Sequence, residues 1–501
     1  MEGIQFTRSR AGEKTCSVNG VHLHSAYDPM KEARRFVDAV ELPFEPSLLV
    51  VVEPALSHCA TFLRQRFPDT TLVAIRLADC FGESNHLWDR TLHLSQVHQM
   101  LSLYGEDKVL ATLFLSWPPS QRAFPQEYRL CWENIRTLVE TSRDILGTRE
   151  FFGRRWLKNT LSFCAKVKHP HIVRAGSSPI LLAASGPSLE TSLEPIKEHR
   201  ASFFLIAISS ALSPLLAAGI LPDLCVSTDG GYWAKRHIAA CPVPLAVPAE
   251  AVIPGPCIEG RIVPLQYGDG PETQLLEDCG IPALPALRNG TASGTALELA
   301  LTLTSGPVFA CGLDLSPHRG FQHCQPNALE EDALLLDNRL HPKETRLFSG
   351  QLHSRPLEIY GRWFSDQSQR LAPRFCRLAA AGYRFKNRLD QIRDIDWDEF
   401  KTTVARLKSN QGGSLPPFLQ ETKIPGTAER RRRLRSILEG YRQGRLPESW
   451  LATAFPARQS QLARSGDKTA IEERLLADSL ALLDELLAYL DALEEGAKDA
   501  L

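Results

Sequence analysis

The sequence has no long hydrophobic run. No stretch approaches the ~18 apolar residues of a membrane-spanning helix, and the opening MEGIQFTRSR holds no apolar core of a secretion signal. No membrane span is expected, and the expected compartment is the cytoplasm. Charge of one sign is also lacking: 57 Lys and Arg face 58 Asp and Glu, for a net charge of −1. Such a balance gives no field that would draw the chain to nucleic acid or an anionic bilayer. The twelve cysteines include no C-x-x-C pair and no paired framework. They stand singly, several in apolar runs such as those of Cys225 and Cys311, which suits a reducing compartment.

What is present is an ordinary globular composition, 43% hydrophobic and 23% charged. At about 150 residues per domain, the chain divides into roughly three, placed at 1–150, 151–345 and 346–501. The expected fold class is α/β: a Rossmann-like N-terminal domain, a central α/β domain with a mainly parallel sheet, and a helical C-terminal domain.

In the first domain Met30 to Val40 reads as a helix, with Pro29 at its first position. Ser47 to Val52 reads as a strand, Ser57 to Phe67 as a helix and Thr71 to Leu77 as the next strand. This is a βαβ unit. Its first turn carries Glu53-Pro54-Ala55-Leu56 where a dinucleotide fingerprint needs glycines, so no nucleotide is assigned to it. Val109 to Trp117 reads as a further strand, and Glu133 to Lys166 as helix. His169 and His171 fall in what reads as a solvated loop rather than a metal site.

The central stretch is more informative. The strand Pro179 to Ala184 runs into Ser185-Gly186-Pro187-Ser188. Gly186 permits close backbone approach, Pro187 fixes the turn and Ser188 is a good helix cap. The next strand, Phe203 to Ile208, ends in Ser209-Ser210. Pro222 to Ser227 leads into Thr228-Asp229-Gly230-Gly231. Arg288 to Thr295 is a loop of small residues before an apolar helix at Ala296 to Thr304. Val308 to Gly312 then brings Asp314 just past a strand end. Free N–H groups and the helix dipole make a helix N-terminus an anion site. Gly290 and Gly294 would admit a ligand to the backbone, with Thr291, Ser293 and Thr295 adding hydroxyls. A well-capped core helix uses the same residues. Several such turns at one carboxyl sheet edge, where open α/β sheets bind ligands, are what favour a site. An acid there can bind a ribose, hold a cation or act as a base, or simply cap its own turn. Asp229, beside two glycines, is the candidate for a sugar or magnesium contact. His323 lies in a loop, with an imidazole suited to proton transfer near neutrality.

From Pro179 to His323 the chain resembles the central domain of the motility-associated factor (Maf) glycosyltransferases, a domain related to 6-hydroxymethyl-dihydropterin pyrophosphokinases. The matching pieces are Ala184 to Leu189, Pro222-Asp223 through Ser227-Thr228-Asp229, Gly290 to Thr295, Gly312-Leu313-Asp314-Leu315 and His323. His24-Ser25, Asp28-Pro29 and Glu32-Ala33 resemble the start of the Maf N-terminal domain. Glu53-Pro54-Ala55 and Ser316-Pro317-His318 depart from the family pattern. The resemblance implies a sialyltransferase-like central domain that moves a nonulosonic acid from a CMP donor to Ser or Thr of flagellin. The sheet-edge turns themselves assign donor binding to Gly186, Pro187, Ser188, Ser209, Asp229, Thr291, Ser293, Gly294 and Thr295, and the chemistry of transfer assigns catalysis to His323 and Asp314. The alternatives are a pyrophosphokinase that uses the same turns for ATP phosphates, with Asp229 on magnesium, and a non-catalytic flagellar assembly factor.

In the last third, Gln411 to Pro417 reads as a linker. Arg430 to Arg433 with Arg435 reads as a solvated helix face. Leu476, Leu480, Leu483, Leu487 and Leu490 form a two-heptad stripe, with packing onto a neighbouring helix as the default and a protein partner as the sharper reading.

Overall fold

A computed structural model describes residues 3–239, 241–268, 270–352, 355–410, 415–462, 464–465 and 468–494. Residues 411–414 of the expected linker lie outside this set. The chain forms two compact units, Met1–Gly153 with Arg445–Leu482, and Arg154–Gly444 with Leu483–Leu501.

The first unit begins with an antiparallel sheet of β1 (Ile4–Arg8), β2 (Lys14–Val18) and β3 (Val21–His22). A parallel sheet follows, in the order β6-β5-β4-β7: β4 (Leu48–Val52), β5 (Thr71–Arg76), β6 (Arg90–His93) and β7 (Thr112–Ser116). Val50, Val52, Val73 and Ile75 pack into one core, and Leu49, Val51, Leu72 and Ala74 into another. This period-2 alternation, apolar on both sides, belongs to a sheet covered on both faces. The expected βαβ unit is present, with its helix at His58–Arg66. The expected strand at Val109 to Trp117 instead begins at Thr112, because the preceding helix, Gln99–Leu110, uses Val109 in its last turn.

The motif near residue 24 is a set of clips. Asp28 caps the helix Pro29–Asp38, and Glu32 accepts from the Ser25 amide at 2.7 Å. His24 Nε2 accepts from the Leu56 amide at 3.0 Å. That amide lies in the turn after β4, where Glu53, Ala55 and Ser57 all hold positive φ. Glu53 is buried there, against Arg76 at 3.1 Å and the Leu77 amide at 2.7 Å. Burial pushes the Glu53 carboxyl up, against the pull of Arg76. The place a dinucleotide fingerprint would occupy is thus filled by a buried ion pair.

The second unit is built on one large sheet. Its strands are β8 (His169–Arg174), β9 (Ile180–Ala183), β10 (Phe204–Ile208), β11 (Leu224–Val226), β12 (Leu245–Pro248), β13 (Arg261–Gln266), β14 (Leu284–Pro285), β15 (Val308–Cys311), β16 (Phe375–Ala379), β17 (Arg393–Asp396) and β18 (Phe418–Glu421). The order is β17-β16-β15-β9-β10-β11-β12-β13-β8-β18, with β14 beside β13. All pairings but that of β18 are parallel. Strands β9, β10 and β15 are buried along their whole length, which explains their unbroken apolar runs.

Four expectations are corrected here. Residues 346–501 are not a separate helical domain. β16, β17 and β18 complete the central sheet, and Phe364, Phe375 and Phe400 belong to its core. The strands were hidden by charge: Arg377 of β16 is fully buried and pairs with Asp394 of β17 at 2.7 Å. His169 and His171 lie in β8, not in a loop. In the basic run Arg430 is buried and donates to the Cys164 carbonyl at 2.7 Å. The last helix, Thr469–Glu494, buries Leu483 and Leu490 but also Leu475, Leu482 and Leu486, and exposes Leu476 and Leu480. Among the described residues no helix is long and apolar enough to cross a membrane.

Candidate functional site at the carboxyl edge of the central sheet

From β9 the chain proceeds through β10, β11, β12 and β13 to one side, while β15 lies on the other side of β9. The β9/β15 boundary is therefore the topological switch point, where a doubly wound sheet opens a crevice. The turn after β9 and the residues after β15 meet there. The Gly186 amide donates to the Gly312 carbonyl at 2.7 Å. Asp314 Oδ2 accepts from the Ser188 amide at 3.0 Å and the Ser188 hydroxyl at 2.8 Å. Its Oδ1 accepts from the Tyr383 hydroxyl at 2.5 Å. A Cβ at Gly186 would overlap Asp314 Oδ2 and the Gly312 carbonyl. Asp314 is 2% exposed. Burial, with the bond to Asp314, pushes the Tyr383 hydroxyl well above its ordinary range.

This alters two assignments. Both oxygens of Asp314 are engaged by the protein, so it is a positioning residue rather than a catalytic acid open to a substrate. Ser188 is not a helix cap with a spare hydroxyl. It sits inside the 3₁₀ turn Pro187–Ser192, 1% exposed, with Gly186 at the cap position.

Next along the edge, Ser210 follows β10 and donates to the Ser185 hydroxyl at 2.8 Å; Ser209 opens the same turn, Ser209–Ala211. Asp229 follows β11, is exposed, and accepts from the Gly231 amide at 2.7 Å. The helix Ala292–Leu303 begins earlier than its apolar pattern suggests, with Thr291 at its cap and no side chain bonded to its first turn. Ser293, Gly294 and Thr295 are therefore buried helical residues, and Thr295 donates to the Leu287 carbonyl at 2.8 Å. The amides of the first turn remain as the donors that an anion could use.

His323 is brought to the same edge. The neighbouring Cys324 amide donates to the Ser185 carbonyl at 2.7 Å. Burial, helped by His237, lowers the His323 pKa to about 4. The ring is therefore neutral at neutral pH and, until a ligand raises its pKa, a weak proton acceptor.

Several participants carried no signal in the sequence reading. His237, in the helix Lys235–Ile238, lies within electrostatic reach of both His323 and Asp229. Tyr360 is near Asp229, and Trp363 packs on Gly294. Arg288 is held by Glu250 at 2.5 and 2.9 Å, and its guanidinium lies over the rings of Trp156 and Tyr267. Glu250 could have been found, since it follows the apolar run of β12 as Asp229 follows β11. The aromatic residues come from distant helices and loops and could not.

Among the described residues no group of three or more His, Cys, Asp or Glu side chains could hold a metal ion. Magnesium carried in on nucleotide phosphates needs only one or two carboxylates, which Asp229 could supply.

Residues 154–247 match the family model for 6-hydroxymethylpterin diphosphokinase MptE-like proteins. A protein of Treponema pallidum (strain Nichols), described only as uncharacterized, is 33% identical over 311 residues, covering 61% of this chain and 67% of its own length. A second from the same organism is 24% identical over 358 residues, covering 65% and 62%. The chain thus spans about two-thirds or less of their lengths. The Maf glycosyltransferase of Magnetospirillum magneticum AMB-1 shares the fold, with a TM-score of 0.51, 13% identity and coverage of 99% of this chain and 93% of that one.

The fold and edge define an α/β protein with an MptE-like domain inside a Maf-type architecture.

Proposed function

We propose that the chain is a glycosyltransferase that moves a nonulosonic sugar from a CMP donor to a Ser or Thr hydroxyl of flagellin, working in the cytoplasm. The observation that carries this reading is the placement, along one carboxyl sheet edge, of an uncapped helix N-terminus, the Gly186 turn and the His323 segment tied to Ser185. In this reading the first-turn amides after Thr291 meet the donor's anionic groups and offset the charge that develops on the departing phosphate. His323 takes the proton of the acceptor hydroxyl, and the bound anion raises its pKa from about 4 towards the neutral range in which general-base catalysis is worth about 10²–10⁴-fold in rate. Asp314 holds the Ser188 turn in place, and Asp229 contacts the donor.

The test is mass spectrometry of flagellin from cells with and without this protein. Loss of a nonulosonic-acid mass on deletion supports the reading, and an unchanged glycan mass sinks it. The pyrophosphokinase reading is favoured by one observation, the MptE-like match over residues 154–247. It would place ATP phosphates on the same turns. A thermal shift separates the two, since a ligand at 100 times its Kd stabilises by about 2.7 kcal/mol. CMP alone should act in the first case, and ATP with magnesium in the second.

A further inference from the structure

We propose that His237 is a second ligand-binding imidazole of this site, and that His237 and His323 together clasp a phosphate or carboxylate of the bound nucleotide. The proposal rests on the nucleotide reading of the site and adds a residue that neither the sequence motifs nor the MptE-like pattern assigns.

The two histidines come from different crossovers and lie within electrostatic reach of each other. His323 is fixed from the β15 side. Cys324 is tied to the Ser185 carbonyl at 2.7 Å, and the buried Asn327 reaches the Ser210 carbonyl at 3.5 Å. The segment between them is therefore seated over the ends of β9 and β10. His237 comes from the crossover after β11. Its helix, Lys235–Ile238, packs against the Ser209–Ala211 turn and against the helix Ala328–Leu336, which Asn327 caps. The Ser185 and Ser210 hydroxyls, bonded to each other, lie between these two supports.

His237 Nδ1 is buried and bonds to no group of the protein among the described residues. A buried polar atom left unbonded costs about 1–3 kcal/mol, so an atom kept this way suits one that waits for a ligand. The surroundings agree. His237 opposes a positive charge on His323, while Asp229 favours one on His237. An anion arriving there would favour positive charge on His237, which could then give it a charge-assisted bond, while a neutral His323 offers its ring N–H and keeps its other nitrogen for the acceptor proton.

The test is calorimetric titration of the full chain with CMP, with ATP and magnesium, and with inorganic phosphate. The variants are His237→Ala, His323→Ala, the double variant, and His237→Asn, whose side-chain amide can occupy the position of Nδ1. His237→Ala should weaken binding by about tenfold or more, and His237→Asn should recover most of it. The double variant should lose less than the product of the single losses, as coupled partners do. Melting temperatures establish that each variant is folded, and the imidazole ¹⁵N signals of both rings in the wild type should move on adding the bound probe. If ATP binds and CMP does not, the transferase reading fails while the clasp is still tested on ATP. Unchanged affinity in both His237 variants overturns the clasp. So does a wild-type chain that binds none of the three probes, or His237 ring signals that stay still at saturation.

Discussion

Ser188 gives both its amide and its hydroxyl to a single carboxylate oxygen of Asp314. This pair of hydrogen bonds across the switch point locks the turn after β9 to the end of β15. Asp314→Ala would strand three donors, and should cost about 2–4 kcal/mol of stability in urea denaturation. Ser188→Ala should cost less, and the two losses should be non-additive by at least about 0.5 kcal/mol. Strict additivity would mean that the pair does not act as one unit.

Gly186 has ordinary backbone angles, so only space forbids a side chain there. Gly186→Ala should force the β9 and β15 turns apart, at an overpacking cost of about 1–3 kcal/mol, and should weaken nucleotide binding. Gly290 is the opposite case, with φ of +68 and nothing near its missing Cβ. Gly290→Ala should cost only about 1–2 kcal/mol, through backbone strain. Melting temperatures with and without nucleotide distinguish the two.

The Glu53–Arg76 pair is buried on both sides. Arg76→Met would leave the carboxylate uncompensated and should destabilise the chain by about 3–5 kcal/mol. A loss below about 1 kcal/mol in chemical denaturation would show that the pair is dispensable.

Acid should destabilise the protein through its buried imidazoles. The His323 pKa is lowered to about 4 and that of His24 to about 3, both chiefly by burial. The unfolded rings titrate near 6.5. Below that pH the unfolded chain takes up protons that the folded chain refuses. Stability is therefore complete above about pH 6.5 and falls as pH drops towards 4. At pH 5 the loss per ring is about 2 kcal/mol. His323→Asn should reduce the loss between pH 7 and pH 5 by about that amount. An identical loss in the variant would place His323 in water.

The sequence was most legible where chemistry and periodicity are adjacent in the chain. The run Ile180–Ala183 followed by Gly186-Pro187 reads directly as a strand entering a ligand-type turn, and the N-terminal βαβ unit reads the same way. It was least legible where distant residues neutralise one another. The strand at Phe375–Ala379 can bury Arg377 only because Asp394 meets it, and no local pattern announces that pairing. Ser293 and Thr295 look like ligand hydroxyls from composition. Their helix starts at Ala292, four residues before the apolar pattern begins, and this turns both into the interior. His237 and Trp156 reach the edge through tertiary placement alone.

The pairing of β8 with β18 sets a schedule for synthesis. His169 and Glu421, in bonding contact across it, are 252 residues apart in the chain. At about 5–20 residues per second on the ribosome, the outer edge of β8 waits roughly 12–50 s for its partner. Throughout that interval a nascent chain carries an unprotected strand edge of the kind that recruits other chains. The polar flank of β8 at His169 and Arg174 would then act as a guard during translation, long before the sheet is complete.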